Sequence, residues 1–212
     1  MTSHPFWEVK YNMEKKLIIN VGRQFGSHGR DIAKALGRIL DIPVYDNELL
    51  TKAAQESGFS ESLFTKRDEK RRFWKIGNIF GGESNPGLND GEIFKLQCDA
   101  IRKIASEGSA IFIGRASNYA LRDLDCCLNV FICAPMSVRK EFISAMRNIS
   151  LEEAEELIFK SDRRRAEFYN FFTDGHWGKS SDYDICVDSS KLGVEKTAEF
   201  IIEYGRKAGL ID

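Results

Sequence analysis

The chain has 212 residues, 42% of them hydrophobic and 30% charged, which suits one domain with a substantial core and excludes a disordered polymer. Lys and Arg number 31 against 32 Asp and Glu, so the net charge of −1 excludes the broad basic footprint of a nucleic-acid coat but leaves room for a concentrated basic pocket. The cysteines Cys98, Cys126, Cys127, Cys133 and Cys186 are odd in number and contain no Cys-x-x-Cys pair, which fits neither a disulfide framework nor a zinc ribbon.

Residues 1–14 show no periodicity and no signal-peptide pattern; they are expected to be an N-terminal extension, with Met13 an alternative start. Lys16 to Gly22 reads as a buried strand closed by glycine, and Asp31 to Leu40 as a helix with apolar residues at 32, 35, 36, 39 and 40. Ile42 to Tyr45 is a second short strand, after which Asn47 caps a helix running to Ser57, stopped by Gly58. Residues 59–90 are the least regular, with a charge run from Lys66 to Arg72 beside Phe73 and Trp74. A solvated helix with two tucked aromatics is the plainer reading of that run, and a base stacking on an aromatic ring the functional one.

Order returns with a helix from Asp90 to Glu107, a strand from Ser109 to Gly114, a short helix from Ala116, a strand from Cys126 to Ala134 and a helix after Pro135. Leu151 to Phe172 reads as a long charged helical segment, open to a break; Tyr183 to Val187 is a last strand and Val194 to Ala208 a last amphipathic helix. Alternating strands and helices predict βαβ units, hence a parallel five-stranded sheet covered on both faces. The longest apolar stretch, near Cys126 to Pro135, falls far short of a membrane span. A reduced, cytoplasmic protein with neither a membrane nor a nucleic-acid partner is expected.

The turn from first strand to first helix is Gly22-Arg23-Gln24-Phe25-Gly26-Ser27-His28-Gly29-Arg30-Asp31. A glycine-rich loop at this position exposes backbone N–H groups and a helix N-terminus to an anion, and arginines add planar donors suited to phosphate oxygens. His28 is placed to donate from within the loop. The glycines at 22, 26 and 29 do not make Gly-x-Gly-x-x-Gly, so a dinucleotide site is not indicated. The full Gly-x-x-x-x-Gly-Lys-[Ser/Thr] pattern is also absent: Gly29 stands at the lysine position and Arg30 at that of the Mg²⁺-binding hydroxyl. A lysine restored at 29 tests the loop: tighter binding of a phosphate donor would support a donor site there, and misfolding would leave the question open.

Gly22 to Ala33 resembles the degenerate phosphate loop of the cytidylate kinase-like family of P-loop kinases. Ile111 to Arg115 resembles the strand-Gly-Arg element of nucleoside monophosphate kinases, and Asp162-Arg163-Arg164-Arg165-Ala166 with Tyr169 resembles an arginine-bearing lid. Trp177-Gly178, Ser181 to Cys186 and Ser189 to Gly193 resemble the approach to the family's last strand and that strand itself. The resemblance implies a three-layer α/β/α P-loop kinase fold with strand order 2-3-1-4-5, an acceptor-binding insertion and helix over residues 59–107, and a helical lid over 150–180 within one domain, 15–212. It implies Mg²⁺-dependent transfer of the ATP γ-phosphoryl group to a nucleoside monophosphate, CMP or dCMP. The donor phosphates would meet Arg23, Gly26, Ser27, His28, Gly29, Arg30 and Asp31, and the acceptor Asp46, Arg115, Asn118 and Tyr169. Arg30, Asp46, Arg163 and Arg165 would serve catalysis.

The residues also carry readings of their own. Arg115 lies just past a strand's C-terminal end, where open α/β sheets bind ligands, but a surface arginine in a βα loop occupies the same place. Asp46 either orients an acceptor or a Mg²⁺-bound water, or helps cap the helix that follows. Of three adjacent arginines on a helix at most two reach one ligand, and Arg163 with a neighbour one turn on is the expected combination. The histidines His4, His28 and His176 show no ligand spacing, so no protein-built metal site is expected. The missing lysine also admits a non-catalytic nucleotide-binding protein, and the chemistry admits a kinase of another small-molecule acceptor.

Overall fold

The computed structural model describes residues 15–50 and 90–212. Five parallel strands, β1 (Ile18–Arg23), β2 (Val44–Tyr45), β3 (Ala110–Ile113), β4 (Cys127–Cys133) and β5 (Ile185–Asp188), form one sheet in the order β2-β3-β1-β4-β5. Six α-helices accompany them among the described residues: α1 (Gly29–Leu40), α2 (Asp90–Glu107), α3 (Ser117–Ala120), α4 (Met136–Arg147), α5 (Leu151–Phe172) and α6 (Gly193–Lys207). The helix expected from Asn47 is described only at residues 47–50, and the irregular stretch 59–89 lies outside the described residues, as does the extension 1–14.

β1 is central, and its residues alternate between two cores as the period of two requires. Leu17, Ile19 and Val21 face α1 and α6, where Ile32, Leu36, Ile201 and Ile202 are buried. Ile18 faces the other way, with Ala110 and Phe112, onto Cys98, Ile101 and Ala105 of α2. Helices thus cover both faces, which gives the expected three-layer α/β/α architecture. No described helix is long and apolar enough to cross a membrane.

Local chemistry sets the element ends. α1 begins at Gly29, two residues before the expected start at Asp31, because His28 turns left-handed at φ 56° and starts the helix from the loop. α5 runs unbroken for 22 residues, over the bounds the sequence suggested and without the break it left open: Ser150 and Glu153 form a reciprocal capping box at its start, and the Thr173 hydroxyl donates to the Tyr169 carbonyl at its end, 2.7 Å away. β5 begins at Ile185 rather than Tyr183, because Tyr183 closes a short 3₁₀ turn, Ser180–Asp182. α5 packs on α4 through Ile143, Ala154 and Ile158, with Phe25 of the loop between β1 and α1 against them. That contact brings α5 over the C-terminal edge of the sheet.

Candidate active site

The loop between β1 and α1 is pinned from both sides. The Ser27 hydroxyl donates to the carbonyls of Gln24 (2.9 Å) and Ile132 (3.1 Å), and the Ser189 hydroxyl donates to the Ser27 carbonyl (2.8 Å). The Ala134 N–H donates to the Gln24 side chain. On the other flank the Phe25 N–H donates to Asp162 of α5 (2.7 Å), and Arg139 of α4 bonds both Asp162 (2.6 Å) and the Phe25 carbonyl (3.3 Å). The Ile32 N–H closes the first turn of α1 on the His28 carbonyl, so the amides ahead of it are the helix-terminus donors that suit an anion.

The side chains expected on the donor phosphates divide. Ser27 is fully buried, its hydroxyl turns into the fold, and its carbonyl accepts the Ser189 hydroxyl. His28 lies on Phe142, ring centres 3.9 Å apart, with Nδ1 3.1 Å from an oxygen of Asp31, so these two side chains engage each other. Arg30 is half-exposed and pairs with Asp46. Asp46 also accepts the N–H groups of Glu48 (3.1 Å) and Leu49 (3.2 Å), which makes it, and not Asn47, the cap of the helix that starts at 47. Burial raises the Asp46 pKa, but the Leu49 amide and Arg30 outweigh it and hold the carboxyl below its ordinary value.

Arg23 takes a path that the sequence pattern does not announce. A Cβ at Gly29 would stand 2.5 Å from its Cβ and 3.0 Å from its Cγ, and a Cβ at Gly114 would overlap its Nη1. The side chain therefore crosses Gly29 and seats its guanidinium on Gly114, at the end of β3. Burial lowers its pKa to about 9, with Arg165, Arg115 and Arg30 adding like charge. A lysine at 29 consequently meets backbone-anchored atoms. Gly29→Lys is expected to destabilise the fold by about 1–3 kcal/mol without raising ATP affinity, as urea unfolding and calorimetric titration would read.

On the far side, β3 ends in three successive left-handed residues, Gly114 (φ 73°), Arg115 (φ 60°) and Ala116 (φ 50°). Two of them are not glycine, strain of the kind that collects at ligand sites. The turn delivers Arg115 over the Phe168 ring, 5.7 Å from its centre, and burial with Arg165 nearby lowers its pKa to about 10. Asn118 donates to the Tyr169 hydroxyl at 2.8 Å, so these two expected acceptor residues do meet. Arg165 reaches back to donate to the Arg23 carbonyl at 2.9 Å. Arg163 does not join them: its side chain is 80% exposed and pairs with Glu167 on the outer face of α5.

The result is a cavity of about 260 Å³ at the C-terminal edge of the sheet. Arg23, Arg115, Arg164 and Arg165 line it, and no acidic residue does among the described residues. Trp177 and Tyr183 form one wall, packed on Phe131 with ring centres 5.3 and 5.0 Å away. Sequence reasoning missed Arg164 and this wall. The signal for Arg164 was present in the helical phase: Phe168 and Tyr169 are four residues beyond Arg164 and Arg165, so those two, not Arg163, share the inward face.

A family model described as the cytidylate kinase-like family matches residues 18–191. The cytidylate kinase of Pyrococcus horikoshii is 25% identical over 181 residues, covering 85% of this chain and 83% of that one. A solved structure from Eubacterium ventriosum is similar at 26% identity with a TM-score of 0.70, covering 89% of this chain and 98% of that one. The shikimate kinase of Bacteroides thetaiotaomicron shares the fold, at a TM-score of 0.54 and 15% identity over 92% of this chain and 98% of that one. With the match spanning the phosphate loop, the arginine after β3, the helix over the cavity and the last strand, the chain belongs to the cytidylate kinase-like family of P-loop kinases.

Proposed function

We propose that the protein transfers the γ-phosphoryl group of ATP to a nucleoside monophosphate, with CMP or dCMP as the acceptor. The observation that carries this reading is the cavity itself: four arginines and, among the described residues, no carboxylate lining it. A hydroxyl acceptor needs a general base within hydrogen-bond reach. Asp46 is a poor one, since Arg30 and two amides hold its carboxyl below the ordinary value. A phosphate acceptor is already ionised near neutral pH and needs charge neutralisation instead, which arginines supply. CMP and dCMP are favoured by the relative named cytidylate kinase.

In this reading the amides of the loop and of the α1 N-terminus hold the donor phosphates, and Arg115 holds the acceptor phosphate with Asn118 and Tyr169 beside it. An oxygen of the acceptor phosphate forms a bond to the γ-phosphorus as the bond to the ADP oxygen breaks. Arg164 and Arg165 face the charge spread over the equatorial oxygens. α5 covers the cavity and excludes water, and residues 150–180 serve as its lid.

The donor set around the loop bears on Mg²⁺. Arg30 stands at the hydroxyl position and cannot ligate a metal, Asp46 is committed to Arg30 and a helix cap, and Asp31 to His28. No group of three or more His, Cys, Asp or Glu side chains is arranged to hold a metal among the described residues. These residues do not fit a protein-held Mg²⁺. The ion is proposed as part of the nucleotide substrate, and no step above runs through it.

Arg115→Ala tests the assignment of the acceptor side. The acceptor kcat/KM is expected to fall by about ten- to hundredfold, the worth of a charge-assisted hydrogen bond, mainly through KM, with ATP binding retained. An unchanged acceptor KM and kcat/KM would remove Arg115 from the site.

A further inference from the structure

We propose that Arg23 supplies, from the end of β1, the positive charge that a lysine at position 29 supplies in the full phosphate-loop pattern. Its guanidinium bridges the donor's terminal phosphates and the group in transfer. This rests on the kinase reading of the cavity and names a residue within it that the loop pattern does not assign.

Two arginines in the loop compete for the role, and their surroundings separate them. Arg30 is spent on Asp46 and stands 55% exposed. Arg23 lines the cavity, and its guanidinium forms no hydrogen bond or ion pair with another described residue. Three further cations, Arg165, Arg115 and Arg30, lower its pKa, whereas Asp46 is the single charge that raises it. A partly buried cation facing mainly like charge is stabilised by an anion from outside. The path of the side chain then fixes where that anion lies: past Gly29, at the start of α1, and onto Gly114, next to the arginine assigned to the acceptor. This is the junction between the two phosphates.

The same path accounts for the glycine at 29. Its φ is unexceptional, so a side chain there is excluded by Arg23 rather than by backbone conformation. Gly29 and Arg23 act as a pair: one gives up the side chain that would carry the charge, and the other occupies the vacated space with a longer cation.

The test is calorimetric titration of the full chain with ATP and with inorganic tripolyphosphate, for the wild type, Arg23→Gln and Arg23→Lys, alongside their melting temperatures. Arg23→Gln is expected to weaken both ligands by about ten- to hundredfold, with Arg23→Lys recovering part of the loss. ATP binding unchanged in Arg23→Gln would overturn the assignment while leaving the kinase reading intact. If Arg23→Gln also melts lower, Arg23→Lys decides: recovered affinity supports a charge contact, and none assigns Arg23 to packing and overturns it. A wild type that binds neither ligand overturns the kinase reading and this inference together.

Discussion

Arg165→Met is expected to lower kcat by about 10²–10³-fold with small changes in either KM, because a cation aimed at developing charge acts mainly in the transition state. The residue is built for this position. Its Nη1 donates to the Arg23 carbonyl at 2.9 Å, and its guanidinium lies 5.5 Å from the centre of the Phe25 ring. Burial lowers its pKa, and Arg139 adds to the lowering while Asp162 opposes it. Methionine keeps much of the stem volume, so packing against Phe25 survives while the charge is removed together with its hydrogen bond to the Arg23 carbonyl. Steady-state and single-turnover rates would measure the loss. The same substitution at Arg163 is expected to change kcat by less than about twofold, since that side chain points to solvent. Equal losses at both positions would contradict the orientation of α5.

Asp162→Ala is expected to lower stability by about 3 kcal/mol, read from urea midpoints with an unchanged slope. Three contacts converge on this carboxylate: the Phe25 N–H, Arg139 and, at 3.8 Å, Arg165. Arg139 is only 7% exposed, so removing its partner leaves a charge out of water with the Phe25 carbonyl as its remaining recorded acceptor. The Phe25 amide loses its acceptor as well. Phosphate affinity should fall in parallel, because the same contact holds the loop in shape. A loss below about 0.5 kcal/mol would place the pair among surface ion pairs of little consequence.

Much of the architecture was legible from local pattern. Apolar runs such as Leu17 to Val21 and the spacing of Ile32, Leu36 and Leu40 report strands and helices through burial, and their alternation dictates a parallel sheet. Arg115 was legible too, since the residue after a parallel strand lies at the edge where ligands bind. What was not legible depended on contacts between segments far apart in the chain. Ser27 stands in the loop expected to meet the donor phosphates, and only β4 and the loop after β5 show that its hydroxyl is taken by the Ile132 carbonyl and its carbonyl by Ser189. Asp46 was balanced between two readings until Arg30 and the helix amides were seen to share it. The course of Arg23 over Gly29 onto Gly114 exists because β3 lies next to β1, a neighbour relation that strand order alone creates. Arg163 against Arg164 differs in kind: helical phase relative to Phe168 and Tyr169 was in the sequence, and it selects the inward pair.

The central claim is that an arginine-walled cavity, without a carboxylate among the described residues, serves a phosphate acceptor. Its most direct measurement is ADP release from Mg²⁺-ATP with CMP, dCMP, UMP, AMP and GMP, set against a panel of small hydroxyl acceptors. The account predicts turnover with a nucleoside monophosphate, CMP or dCMP foremost, and loss of that turnover in Arg115→Ala. Turnover with hydroxyl acceptors alone, or ATP binding with no turnover on any acceptor, would contradict it.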